Sequence, residues 1–353
     1  MVQRGYETSR KVLVALLHPI SFYFHIGTLV LFFQSARPIG GKGGACHPSF
    51  MTRHQDSERK TLKESPAASP VRPGVGLALG GGFARGFAHL GVLQVLEQNQ
   101  IPISHIAGTS VGSILGAAYA SGASLERITA TCRTLRFRDI ARWRVSRLGL
   151  ASNQRLGSLI ERVLESRQFE DLRIPLAVVA TDLTSGEPVV FTQGNLVDAI
   201  RASCAFPGLF EPVEIGTRCL ADGGLVAPVP TRAARELGAT TVIGISVGMQ
   251  DGHRGAPTNI FQVVSRAVSA AQKHQLEVWE RHADLVLRPD VQSLAWDDFD
   301  RAEEAIEAGA ATARRALPRI QKLLGQKGAS SQEREARLEA EDQGYLWLAE
   351  VIR

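Results

Sequence analysis

The chain has 353 residues, of which 44% are hydrophobic and 21% charged, and a formal net charge of +5. That balance excludes a disordered or collagen-like chain and leaves room for one to three globular domains. Its four cysteines, Cys46, Cys132, Cys204 and Cys219, have neither CxxC spacing nor a histidine cluster beside them. They read as buried thiols in a reducing compartment, with no disulfide framework and no zinc site.

The first element is the run from Val12 to Phe33, 22 residues without Asp, Glu, Lys or Arg, preceded by Arg4, Arg10 and Lys11. It is long enough to cross a bilayer, and the cations ahead of it suit a membrane anchor. Pro19, His18 and His25 interrupt it, and no small-x-small cleavage site follows closely. A second reading makes residues 1–50 an upstream extension before a start at Met51. The first reading ties the protein to a membrane and the second leaves it cytoplasmic. Residues 51–73 form a polar Ser/Pro linker under both.

Strand-like and helical runs alternate over residues 74–324. Strands are expected at Val75–Leu79, Ile103–Ala107, Leu176–Thr181, Pro188–Phe191, Thr241–Ser246 and Asp284–Leu287. Helices are expected near 86–98, 111–122, 154–166, 195–204, 231–237, 260–281 and 301–324. Such alternation predicts an α/β fold with a largely parallel sheet. Residues 325–353 read as a charged, solvated helical tail.

Two of the strand-to-helix turns are rich in glycine. The first, Gly80-Gly81-Gly82-Phe83-Ala84-Arg85-Gly86, is not a dinucleotide fingerprint, because Arg85 stands where a third glycine is needed and no acid ends the next strand. Nor is it a P-loop, since no Gly-Lys-Ser/Thr follows. What remains is a set of backbone amides and one arginine at a helix start, which are the parts of an oxyanion hole. A turn that only caps and packs the helix fits the same residues. The second turn, Gly108-Thr109-Ser110-Val111-Gly112, is G-x-S-x-G between a strand and a helix. That context is a nucleophile elbow, which lifts a serine hydroxyl to a helix N-terminus; an ordinary N-cap serine is the alternative.

A serine nucleophile needs a base. His253 lies in a polar loop, His274 and His282 lie among charged neighbours, and His89 and His105 sit where packing accounts for them. Asp222 differs, because it ends an apolar strand and is followed by Gly223 and Gly224, which let the backbone turn a carboxylate into a crowded site. A β-turn is the other reading of Asp-Gly-Gly.

Together "GGGFARG" (80–86), "GTSVG" (108–112) and "DGG" (222–224) resemble the patatin-like phospholipases, in particular the bacterial branch related to neuropathy target esterase. The glycine loop carries one residue more before Arg85 than the G-G-G-x-R-G form. "IRASCAFPGLFEPV" (200–213) and "VVATDLTSGEPVVF" (178–191) are similar to further family segments. The resemblance spans about residues 74–324 and implies a three-layer α/β/α fold around a mostly parallel sheet. It implies Ser110 as nucleophile and Asp222 as general base of a dyad without histidine. Gly81, Gly82, Arg85 and Gly86 would form the oxyanion hole, and Gly80, Gly108, Gly112, Gly223 and Gly224 would support it. It further implies an acyl-enzyme mechanism on a phospholipid or lysophospholipid, with no cofactor and no metal.

One stretch stands apart from these motifs. Residues 132–147, "CRTLRFRDIARWRVSR", carry six arginines against the single acid Asp139, with Leu135, Phe137, Ile140, Trp143 and Val145 between them. This basic amphipathic character suits a membrane surface, a solvated helix packed on the sheet is equally consistent, and no nucleic-acid-binding fold accompanies it. A catalytically silent, membrane-associated scaffold is the competing function. Oligomeric state is not legible.

Overall fold

The computed structural model describes residues 74–144, 146–248 and 256–325. The apolar run at Val12–Phe33, the linker, His253 and the tail lie outside the described residues. Among the described residues no helix is long and apolar enough to cross a membrane.

The core is a sheet of eight strands. Five run parallel in the order β10 (Leu285–Leu287), β9 (Val242–Ile245), β1 (Val75–Leu79), β2 (Ile103–Thr109) and β5 (Leu176–Asp182). Antiparallel strands complete it: β8 (Arg218–Asp222) and β6 (Pro188–Phe191) pair with β5, and β7 (Val213–Ile215) pairs with β8. A separate two-stranded ribbon joins β3 (Arg142–Trp143) to β4 (Ala151–Ser152).

The two-residue period of a strand sorts side chains between the faces of the sheet. Leu77, Leu79, Ile106, Leu176 and Val178 enter the larger core, under α1 (Ala88–Gln98), α2 (Val111–Ser121) and α10 (Ala302–Gly325). Ala78, Ala107, Ala177 and Val179 face the other side, where Ala233 and Ala234 of α7 (Thr231–Glu236) and Trp279 of α9 (Leu276–Glu280) cover them. The three layers are therefore α/β/α, with bulky side chains on one face of the central strands and small ones on the other.

Strands at Val75–Leu79 and Pro188–Phe191 form with the bounds that their apolar patterns suggest. Two expectations change. The helix read over 260–281 breaks at Gln275 into α8 (Ile260–His274) and α9. There the Gln275 and Gln272 amides donate to the carbonyls of Leu225 (3.0 Å) and Gly224 (2.8 Å), tying the helix pair to the turn after Asp222. The stretch 132–147 is not one helix. It ends α3 (Leu125–Thr134), makes the single turn α4 (Phe137–Ile140) and enters the β3 ribbon.

Helices α1 and α10 cross at very close range. A Cβ on Gly309 would overlap the Ala88 carbonyl, and one on Gly91 would overlap that of Ile306. Gly309→Ala is therefore expected to destabilise the fold by about 1–3 kcal/mol, seen as a fall of several degrees in the thermal midpoint. An unchanged midpoint would show that the crossing has slack.

Candidate active site

The strand register brings the two distant motifs together. Thr109, the last residue of β2, pairs with Val179 of β5, and Asp222, the last residue of β8, pairs with Ala180. Strand β6 fills one edge of β5 along Val178–Thr181, so β2 and β8 share the other edge and meet end to end at Val179 and Ala180. Ser110, the residue after β2, and Asp222 thereby line one cavity, where the Ser110 hydroxyl is among the groups that pull the Asp222 carboxyl down.

Ser110 adopts φ 53° and ψ −126°, a conformation that non-glycine residues avoid. Strain of this kind costs about 1–3 kcal/mol and persists only where the surroundings hold it. Here the Ser110 amide donates to Ser203 Oγ (2.8 Å), and the Ser203 hydroxyl donates to the Val179 carbonyl (2.6 Å). On its other side the Ser110 carbonyl accepts from the Ser113 amide (2.8 Å) and hydroxyl (2.6 Å). A Cβ on Gly112 would overlap the Leu79 carbonyl, so the helix can start here only with glycine at that position. Ser203, at the end of α6 (Leu196–Ser203), had no sequence signal of its own: it lies inside the "IRASCAFPG" segment as one small residue among several.

Asp222 is buried, and its Oδ1 accepts from the Gly224 amide at 2.8 Å. Burial raises its carboxyl from the ordinary 3.8 to about 6, against the opposing pull of the Gly224 amide and the Ser110 hydroxyl. The Cys204 thiol is held well above its usual range, chiefly by burial and then by the charge of Asp222. Cys132, also buried, is pushed up to about 12 by burial.

Of the glycine loop, Gly81, Gly82 and Phe83 line a cavity together with Ser110 and Asp222. The Gly81 amide donates to the Pro228 carbonyl (3.2 Å) and the Gly80 amide to that of Ile245 (3.1 Å), pinning the loop to the rest of the sheet. Arg85 and Gly86, grouped with the oxyanion donors from the sequence, line neither cavity at Ser110. Arg85 is buried and donates from Nε to the Leu294 carbonyl (2.8 Å), and Gly86 gives room to the Val111 side chain. Burial lowers the Arg85 guanidinium, with the charge of Asp298 opposing.

His89 shares a 2.8 Å hydrogen bond between Nε2 and the Gly80 carbonyl. A carbonyl only accepts, so the proton sits on Nε2. Burial pulls this ring down to about 4, so it is neutral. No histidine lines the two cavities at Ser110 among the described residues. His274 is exposed on α8, and His105 and His282 are buried elsewhere.

Those cavities meet at Ser110 and Phe83 and differ in character. One, of about 770 Å³, is almost wholly apolar and runs between α2, α3 and α5 (Gln154–Val163) past Ile114, Leu115, Ile128, Leu156 and Ile160. The other, of about 520 Å³, holds the polar groups of Asp222, Ser265 and Gln272 beneath Phe206, Phe261 and Trp296. A long apolar group on one side of Ser110 and a more polar one on the other fit this pair.

Residues 77–235 match the family model described as patatin-like phospholipase. An uncharacterized NTE family protein of Mycobacterium tuberculosis is 38% identical over 190 residues, 52% of this chain and 52% of that protein. The human patatin-like phospholipase domain-containing protein 6 is 35% identical over 185 residues, 50% of this chain and 14% of that protein. The crystal structure of VipD from Legionella pneumophila aligns with 70% of this chain and 67% of that chain at 14% identity and a TM-score of 0.43. The matched region thus covers about half of the mycobacterial relative and a small part of the human one.

The raised carboxyl has a consequence for stability. Moving it from 3.8 to about 6 disfavours the ionised, folded form by about 3 kcal/mol. Between those pH values the folded state binds more protons than the unfolded one, so stability falls as pH rises through the window. Asp222→Asn removes that charge. Its thermal midpoint is expected above wild type at pH 7 and converging with it near pH 4. Equal midpoints at pH 7 would show that the carboxylate sits in the fold without cost.

Proposed function

We propose that this chain, whose residues 77–235 match the patatin-like phospholipase family model, is a lipid hydrolase that cleaves fatty-acyl esters with Ser110 as nucleophile and Asp222 as general base. The observation that carries this reading is that Ser110 and the buried Asp222 carboxyl line one cavity, at the junction of an apolar and a polar space.

In the first step Asp222 takes the hydroxyl proton as Ser110 Oγ attacks the ester carbonyl. Negative charge gathers on the carbonyl oxygen, within reach of the Gly81–Gly82 backbone and the N-terminus of α2. The Gly82 amide is the leading donor, since that of Gly81 already serves Pro228. Collapse of the tetrahedral intermediate breaks the bond to the leaving alcohol, which collects the proton from Asp222. Water then attacks the acyl-serine with Asp222 again as base, releasing a fatty acid and restoring both groups. A carboxylate is a weak base, and burial improves it by moving its pKa toward the working pH.

The apolar cavity takes the acyl chain. Its almost wholly apolar walls offer a hydrocarbon tail little polar competition. The leaving group, a glycerol phosphodiester in a phospholipid or lysophospholipid, occupies the cavity with Ser265 and Gln272.

Three outcomes test the reading. Ser110→Ala and Asp222→Asn each abolish hydrolysis of p-nitrophenyl acyl esters while circular dichroism stays native, and a fluorophosphonate label maps to Ser110; activity surviving Ser110→Ala would end the proposal. Only the ionised base works, so kcat/KM rises with pH and reaches half its plateau near pH 6; a flat profile between pH 5 and 7 would exclude Asp222 as the titrating base. Ile160→Trp, which fills the deep part of the apolar cavity, shifts the preferred acyl chain to shorter lengths on a panel of esters; an unchanged optimum would place the acyl chain elsewhere.

A further inference from the structure

The arginine-rich stretch lies where it can present this site to a lipid surface. After α4 the chain enters the β3–β4 ribbon, closed by hydrogen bonds from the Arg144 amide to the Leu150 carbonyl (3.0 Å) and from the Ser146 amide to that of Gly149 (2.9 Å). The amides of Leu150 and Ala151 donate to the Leu209 carbonyl (3.1 and 2.8 Å), so the ribbon is fixed to the segment that leads to β7 and β8. Its outer surface is unusual. Trp143 is 66% and Leu148 70% exposed, next to the exposed Arg142, Arg144 and Arg147. Arg138, Arg155 and Arg162 line the adjoining shallow groove, where Arg155 reaches the Arg138 carbonyl at 2.9 Å. Asp139, the lone acid of the stretch, accepts from the Arg136 backbone amide.

This surface connects to the site through a run of rings. Trp143 contacts Phe137 (5.8 Å between centroids), Phe137 contacts Trp296 (5.8 Å), and Trp296 contacts Phe261 (4.6 Å) and Phe83 (5.2 Å). Trp296, Phe261 and Phe83 all line the cavity that holds Asp222.

We propose that the β3–β4 ribbon is a docking element for an anionic bilayer, with Trp143 and Leu148 entering the headgroup region, the surrounding arginines pairing with acidic lipid phosphates, and the aromatic run setting the mouth of the Asp222 cavity against the lipid. It rests on the reading of Ser110 and Asp222 as a lipid-hydrolase site, for which it supplies the partner surface. Tryptophan is the side chain best suited to the boundary between hydrocarbon and water. Arginines near an acidic membrane each strengthen binding by about fivefold. A neutral or zwitterionic surface would leave those charges without partners.

The test uses the full chain. Residues 1–73 contain no tryptophan, so contact of that segment with lipid does not mimic the signal. Tryptophan emission is measured with phosphatidylglycerol-containing vesicles that carry brominated acyl chains. The expected result is quenching in wild type that is largely absent in Trp143→Leu and weak on pure phosphatidylcholine. Arg142→Gln/Arg144→Gln/Arg147→Gln lowers turnover of an ester embedded in the anionic vesicles by about tenfold or more, while p-nitrophenyl butyrate, soluble and monomeric, is cleaved at the wild-type rate. Equal quenching in wild type and Trp143→Leu, or equal quenching on both lipids, overturns the docking proposal whether or not the enzyme turns over. Loss of soluble-ester cleavage in Ser110→Ala belongs to the catalytic reading alone, so the two fail separately.

Discussion

A single carboxylate taken out of water beside a strained serine is the constraint around which the rest of this fold is arranged. Neither feature is stable alone: the buried charge is penalised by desolvation, and Ser110 occupies backbone space that residues with a side chain avoid. Strand β5 makes both tolerable. It pairs with β2 and then with β8 along one edge, at neighbouring residues, and its Val179 carbonyl anchors the Ser203 hydroxyl that holds the Ser110 amide. Because β8 runs antiparallel to β5 and β2 runs parallel to it, the two strands point at each other along that edge and their ends meet.

The same physical effect, burial, sorts two titratable side chains beside the glycine loop. It moves Asp222 up, into the range where a carboxylate is a useful base, and His89 down, where imidazole is locked in its neutral form. His89 then acts as a strut on the Gly80 carbonyl. The residue type that serves most serine hydrolases as base is thus present within reach of the loop and is committed to holding it. Arg85 follows the same pattern, since its guanidinium fastens the loop to Leu294 instead of facing the cavity.

The central strands were legible in the sequence because their apolar alternation survives in any context, and so were the two glycine turns, where close approach leaves no substitute for glycine. Asp222 was legible through Gly223 and Gly224. What the chain did not announce is made by pairing at long range. The ribbon of β3 and β4 has two residues per strand, too few for a period, and exists because Leu209 and Phe210 lie alongside it. Ser203 reads as a helix end, and only the register of β5 shows that its hydroxyl bridges to the elbow. Likewise the break at Gln275 depends on the carbonyls of Gly224 and Leu225, which lie about fifty residues away in sequence.

Helix α2 joins the chemistry to the selectivity. Its N-terminus carries Ser110, and Val111, Ile114, Leu115 and Ala118, at the spacing of one helical face, form a wall of the apolar cavity. In the proposed function the scissile carbonyl is held at the first turn of this helix while the hydrocarbon tail runs along the turns that follow. Nucleophile and acyl wall are then parts of one rigid body about 16 Å long, and a chain that fits the wall brings its ester to the same place each time. Separate elements for the two tasks would let the tail seat well with its ester displaced. The close packing that excludes a Cβ at Gly112 against Leu79 fixes that body to β1, and β1 leads directly into the glycine loop across the cavity.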